Sequence, residues 1–131
     1  MVNNYKIIDE KTWERAMHCM VFRNSIEPQF CVTFEADITN FKEKVKNQGL
    51  SFTMAMVYAV CKCANEIEEF RYRFLDGKKD IATPLFDWGK YYEKNGRIMI
   101  PISVQAHHSF VDGIHVGQFV NRLQEYFDIT D

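Results

Sequence analysis

RIMIPISVQAHHSFVDGIHVGQFVNRLQEYF, residues 97–127, contains the change of hydrophobic period that decides the fold. Ile98, Ile100, Ile102, Val104 and Ala106 alternate, which is the period-two pattern of a strand with one buried face. From Gly113 the period lengthens, and Val116, Phe119, Val120, Leu123 and Phe127 make the stripe of an amphipathic helix. Between the two stands HHSFVDG, and residues 105–115 hold three of the chain's four histidines. A side chain at such a junction stands at the carboxyl end of a sheet beside a helix N-terminus, where α/β proteins tend to place chemistry. Pro101 has no N–H to give to a ladder, so its place in mid-strand predicts an edge position or a bulge.

Working outward, LFDWGKYYE (85–93) reads as the preceding strand, joined through Lys94-Asn95-Gly96, since Asn-Gly favours the type I′ hairpin turn. FCVTFEAD (30–37) alternates strictly and reads as a half-buried strand. Asp37 is then the expected N-cap of a helix, ITNFKEKVKNQ, with Gly49 after its end. EKTWERAMHCMVFR (10–23) reads as a short helix. SFTMAMVYAVCKCANEIEEF (51–70) is apolar on most faces and reads as a core helix. FRYRFL followed by Asp76-Gly77 suggests a strand entering a tight turn, but KKDIATP lacks the pattern of a returning strand. Alternating helices and strands predict one α/β domain over residues 1–131, a mixed β-sheet covered by helices.

At 131 residues such a domain buries roughly two-thirds of the surface its unfolded chain exposes. The chain is 47% hydrophobic with 11 Phe, 6 Tyr and 2 Trp, and 3 Pro and 6 Gly are too few for extended disorder. Its 16 basic and 18 acidic residues are interspersed, with a net charge of −2, which argues against a nucleic-acid partner. The start, MVNNYKIIDEKTW, does not read as a signal peptide, and no long uncharged apolar run predicts a membrane span. Cys61 and Cys63 lie two apart on a predicted helix, so their side chains diverge. With Cys19 and Cys31 they match no zinc spacing. The expectation is a cytoplasmic protein with reduced cysteines, most of them buried in packing.

The residues alone leave three readings of HHSFVDG. In one, His107 and His108 are ordinary polar residues and Asp112 caps the helix. In another, His107 or His108 binds a metal with Asp112 and His115, although no second ligand cluster supports it. In the third, one histidine is a general base, the role for which an unperturbed imidazole pKa is suited.

HHSFVDG also fits H-H-x-x-x-D-G, and its flanks resemble the chloramphenicol acetyltransferase family almost throughout, strand proline included. IIDEKTWERAMHCMVFR, the F-x-V-x-x-E-A-D-I strand exit and EEFRYRFLDGK are similar to that family in order and spacing, so the resemblance covers residues 5–78 and 84–128. It implies a shortened fold of that type and acetyl-CoA-dependent transfer to the primary hydroxyl of chloramphenicol or a similar small molecule. His108 would be the general base, without an acetyl-enzyme. Asp112 would pair with Arg15 of the W-x-R at Trp13 and hold the imidazole. Phe22 falls where the family has an aromatic against the antibiotic, while Met20, Cys31 and Phe52 fit pocket and packing equally. The implied co-substrate is acetyl-CoA with no metal, and the implied assembly is a homotrimer with sites at subunit boundaries.

The match breaks internally. Between LDGKK and FDWGK, members of the family carry further strands, a long helix and an S-x-x-P-W segment whose serine hydrogen-bonds the oxyanion. Here a short bridge near residues 78–85 joins the two parts. The alternative reading is therefore a catalytically impaired scaffold or small-molecule-binding protein of the same outline.

Overall fold

The computed structural model describes residues 5–75 and 82–129. Four helices, α1 (Ala16–Arg23), α2 (Thr39–Asn47), α3 (Phe52–Asn65) and α4 (Gly113–Asp128), accompany four strands, β1 (Gln29–Asp37), β2 (Leu85–Trp88), β3 (Tyr92–Lys94) and β4 (Arg97–His107). β4 is central: β1 pairs with it along one side, and β2 and β3 share the other. The α/β class holds, but every ladder among the described residues is antiparallel, in place of the mixed sheet expected.

The alternation read from the sequence determines the faces. Ile100, Ile102, Val104 and Ala106 are buried, and Ala36 joins them from β1 in the register Phe34↔Ile102 and Ala36↔Ile100. Met56, Ala59, Val60 and Cys63 of α3 and Phe119, Leu123 and Phe127 of α4 complete this core. The opposite face is polar, and Thr33 and Ser103 hydroxyls meet there at 2.7 Å.

Pro101 is not on an edge. It sits in the central strand opposite the interruption between β2 and β3, and its carbonyl accepts from the Gly89 N–H at 3.0 Å. A Cβ on Gly89 would approach the proline ring to 3.2 Å, so glycine permits that approach. The hairpin turn is as expected, with Asn95 at φ 53° and Gly96 at φ 78°.

Other expectations change. Residues 10–15 form turns, not helix, because the Asp9 carbonyl draws in the N–H groups of Thr12 and Trp13 and its carboxylate that of Lys11. The α2 N-cap is Ile38, not Asp37. The Asp37 carboxylate instead takes both the N–H and the hydroxyl of Thr39, at 3.0 and 2.7 Å, and the Arg97 Nε–H at 2.8 Å. α3 ends at Asn65 and a 3₁₀ turn covers Glu68–Arg71. Only one side of α3 is core: Met56 is fully buried, whereas Met54 (67% exposed), Val57 and Tyr58 face outward. Residues 72–75 form no strand, and the Arg73 guanidinium occupies the Phe70 and Tyr72 carbonyls at 2.9 and 2.7 Å. The expected Asp76-Gly77 turn and the first half of the bridge near 78–85 lie outside the described residues. All four cysteines are free. Cys19 and Cys63 are buried and Cys31 and Cys61 exposed, so half rather than most are packing residues. No helix among the described residues is long and apolar enough to cross a membrane.

Candidate active site

β4 stops at His107 and Asp112 occupies the N-cap of α4, so the chain must reverse within four residues. Phe110 and Val111 donate back to the His107 carbonyl at 3.1 and 3.0 Å, closing the turn. The His108 N–H reaches the Pro28 carbonyl at 2.8 Å, one step beyond the Gln29↔His107 pair, so the turn hangs from the end of the β1–β4 ladder.

Arg15, just before α1, clasps the turn from the other side. Its Nη1 and Nη2 donate to the two Asp112 carboxylate oxygens at 2.7 and 3.0 Å. Nε reaches the Ser109 carbonyl at 3.3 Å and Nη2 the His108 carbonyl at 3.1 Å. A planar guanidinium can serve a carboxylate bidentately and two carbonyls at once; a lysine cannot. The Arg15 hydrogen bonds hold the Asp112 carboxyl below its usual pKa against an opposing desolvation effect. Asp112 gives its own N–H to His115 Nδ1 at 2.8 Å, and His115 Nε2 lies 3.7 Å from a Glu69 carboxylate oxygen.

The His108 imidazole lies between two rings, Phe30 at 4.1 Å and Phe22 at 4.7 Å, both close to parallel with it. The two rings stack on the imidazole plane rather than against its edge, where the nitrogens lie. Those nitrogens take no hydrogen-bond partner among the described residues. A half-buried imidazole held in one orientation by packing, with a nitrogen left to accept a proton, is the arrangement a general base requires.

His107 differs in every respect. It is 1% exposed, and its Nδ1 accepts the Ser109 N–H at 3.0 Å. The proton of the neutral ring is then on Nε2, which is buried without a hydrogen-bond partner among the described residues. Burial lowers its pKa, and a charge on His108 would lower it further. Among the described residues no three histidine, cysteine or acidic side chains converge on a point that would hold a metal.

The structure thus brings Arg15, Phe22, His108 and Asp112 together. Met20 and Cys31 are exposed, and Phe52 packs against Phe41 and Tyr91. Two contributors were not singled out from the sequence. Phe30 stacks on His108, and its signal was the register that sets it opposite Ala106. Ser109 donates its hydroxyl to the Cys19 carbonyl at 3.0 Å, a second tie to α1 that carries no sequence signal. Two cavities, of about 540 and 440 Å³, lie elsewhere, and His108 lines neither.

Comparison with known proteins gives one consistent result. The family model described as chloramphenicol acetyltransferase matches residues 3–82 and 74–124. Chloramphenicol acetyltransferase 2 of Haemophilus influenzae is 21% identical over 208 residues, covering 95% of this chain and 98% of that protein. The alignment is longer than the chain's 131 residues, so that protein carries residues inside the aligned region that are missing here. A chloramphenicol acetyltransferase of Vibrio anguillarum is 31% identical over 106 residues, or 74% of this chain and 45% of the relative. A solved chloramphenicol acetyltransferase superposes with a TM-score of 0.85 at 23% identity, covering 94% of this chain and 97% of its own, which establishes the shared fold.

Proposed function

The chain belongs to the chloramphenicol acetyltransferase family, and from that premise we propose that it is an acetyl-CoA-dependent O-acetyltransferase with His108 as its general base. The acceptor is the primary hydroxyl of chloramphenicol or of a similar small molecule. An edge nitrogen of His108 takes the hydroxyl proton as the oxygen attacks the thioester carbonyl. The new C–O bond forms, the C–S bond breaks, and the proton passes from the imidazole to the departing CoA sulfur. Both substrates are bound together and no acetyl-enzyme forms.

The observation that carries this reading is the His108 ring, stacked between Phe22 and Phe30 above a turn that Arg15 clasps. Arg15 and Asp112 act by fixing the backbone from which the base projects. Phe22 presents an apolar wall to the acceptor beside the base. The site is completed in a homotrimer of a cytoplasmic protein. The exposed apolar side of α1, where Met17, Met20 and Val21 flank the Phe22 turn, supports an assembly that covers it.

The domain spans residues 1–131, with two family segments joined near 78–85. The overlap of the two matched stretches at 74–82 supports that join. It removes the serine that would hydrogen-bond the oxyanion. Loss of one such donor costs about 10²–10³ in rate, whereas a positioned base contributes about 10²–10⁴, so turnover survives that loss taken alone. The missing residues also favour a second reading, an impaired scaffold that binds small molecules without turnover, because substrate positioning can be worth more than either term.

Release of CoA thiol from acetyl-CoA in the presence of chloramphenicol, measured beside His108→Ala, tests the proposal. Turnover that vanishes in the variant supports it. A folded wild-type chain without turnover refutes it and leaves the scaffold reading.

A further inference from the structure

The 540 Å³ cavity lies on the far side of the histidine turn, between the segment that precedes α1 and residues 68–75. Its volume is in the range of small-ligand sites. One wall is a continuous aromatic surface. Trp13 meets Tyr72 edge-on at 5.3 Å, Tyr72 meets Phe110 at 5.6 Å, and Phe110 meets Phe74 at 4.7 Å. Among the described residues the lining carries four cations, Lys6, Arg23, Arg71 and Arg73, and two acids, Glu10 and Glu68, an excess of positive charge in a chain whose net charge is −2. The charges have distinct settings. Arg23 bonds Glu10 at 3.2 Å and lies over the Phe74 ring at 4.8 Å, and Arg73 is held on two backbone carbonyls. Arg71 closes the 3₁₀ turn and is exposed to solvent. Phe74 and Leu75, also in the lining, fall where the two family-matched stretches overlap, so the cavity borders the place where this chain departs from its longer relatives.

We propose that this cavity is a binding site for a small, flat aromatic anion, whose ring lies along Trp13, Tyr72 and Phe110 and whose negatively charged group faces Arg71. The aromatic wall supplies area with little loss of side-chain freedom, and the excess cationic charge selects the anion over its neutral analogue. The site is separate from His108 and does not depend on acetyl transfer. A flat aromatic group with negative charge could be a free aromatic acid or the adenosine bisphosphate end of CoA, so the experiment distinguishes them.

Naphthalene-2-carboxylate is titrated into the full chain carrying Trp88→Phe, which leaves Trp13 as the only tryptophan reporter. The expected result is saturable quenching, with naphthalene-2-methanol binding about tenfold more weakly for want of the charged hydrogen bond. Arg71→Gln should bring the acid down to the affinity of the alcohol and leave the alcohol unchanged. Calorimetry on the unaltered chain and on Arg71→Gln alone gives the same comparison without the tryptophan substitution. Displacement of the naphthoate by adenosine bisphosphate assigns the site to CoA, and failure to displace assigns it to a free acid; the site stands in either case. Absence of saturable binding, equal affinity for acid and alcohol, or an Arg71→Gln chain that binds the acid unchanged overturns the proposal.

Discussion

The histidine turn and the FRYRFL segment lie next to each other, since Phe74 packs on both His107 and Phe110, yet they are built on opposite terms. The turn draws its supports from this chain: Arg15 before α1, Pro28 before β1, Phe22, Phe30 and the first turn of α4. FRYRFL has the composition of a strand but no strand beside it among the described residues, and Arg73 takes up carbonyls that a neighbour's ladder would use. The turn is thus cross-braced within the described residues, whereas FRYRFL finds no strand to pair with among them. In this molecule the bracing is concentrated on the residues proposed to do the chemistry.

That contrast can be broken most directly at Arg15. Arg15→Ala should lower the unfolding free energy by about 2–3 kcal/mol, below the value for a fully buried pair because Asp112 is 34% exposed in its side chain. Any acetyl transfer should fall with it. A urea midpoint no lower than that of Lys62→Ala, which removes only an exposed, solvent-screened ion pair, would show that the turn has no special bracing.

Phe74→Ala should cost about 1–2 kcal/mol, because the ring is only half-buried although it packs against two rings of the turn. A loss as large as that of Arg15→Ala in the same urea series would mean that the segment supports the turn as much as Arg15 does.

A pH series sharpens the comparison further. Burial holds His107 below the ordinary value of 6.5 in the fold, while the unfolded chain returns to it. The unfolded state then binds more protons between the two values, so this contribution is fully present above pH 6.5 and is lost as the pH falls toward the folded value. His107→Asn should flatten that part of the stability profile, followed by circular dichroism, and an unchanged slope would contradict the neutral, Nε2-protonated ring. Smallest of all, Arg71→Gln should shift stability by no more than about 0.5 kcal/mol, since the side chain is exposed and outside the brace.

What could be read in advance follows the same division. The change of period at HHSFVDG is local, so strand, turn and helix were legible there, as were the Asn95-Gly96 turn and the buried face of β4. Arg15 lies 97 residues from Asp112, and only the family resemblance joined them. Phe30 was legible as a strand residue but not as the ring over His108, because that contact needs the register. The mixed sheet was inferred from alternating helices and strands, a pattern that does not specify strand direction once a hairpin supplies the central strand. α3 was read as a core helix, apolar on most faces, because Met54, Val57 and Tyr58 are apolar, and sequence cannot tell an apolar face that is covered from one left open. FRYRFL failed for the deepest reason: whether a stretch becomes a strand depends on a neighbour that its own residues do not encode.

The placement of β4 in the middle of the sheet has a further consequence, for the order of events during synthesis. Among the described residues β1, β2 and β3 pair only with β4, and the β1 contacts span some 70 residues, as Thr33 does to Ser103. No ladder of this sheet can close on the nascent chain until the last of its strands has emerged from the ribosome. At usual rates of translation β1 waits on the order of several seconds with both edges open. Its contact order is high for so short a chain, and helices α2 and α3 can only form ahead of the sheet that later receives them. The residues that build the turn thus complete the sheet as they arrive, and assembly of the core and of the candidate site becomes one late event.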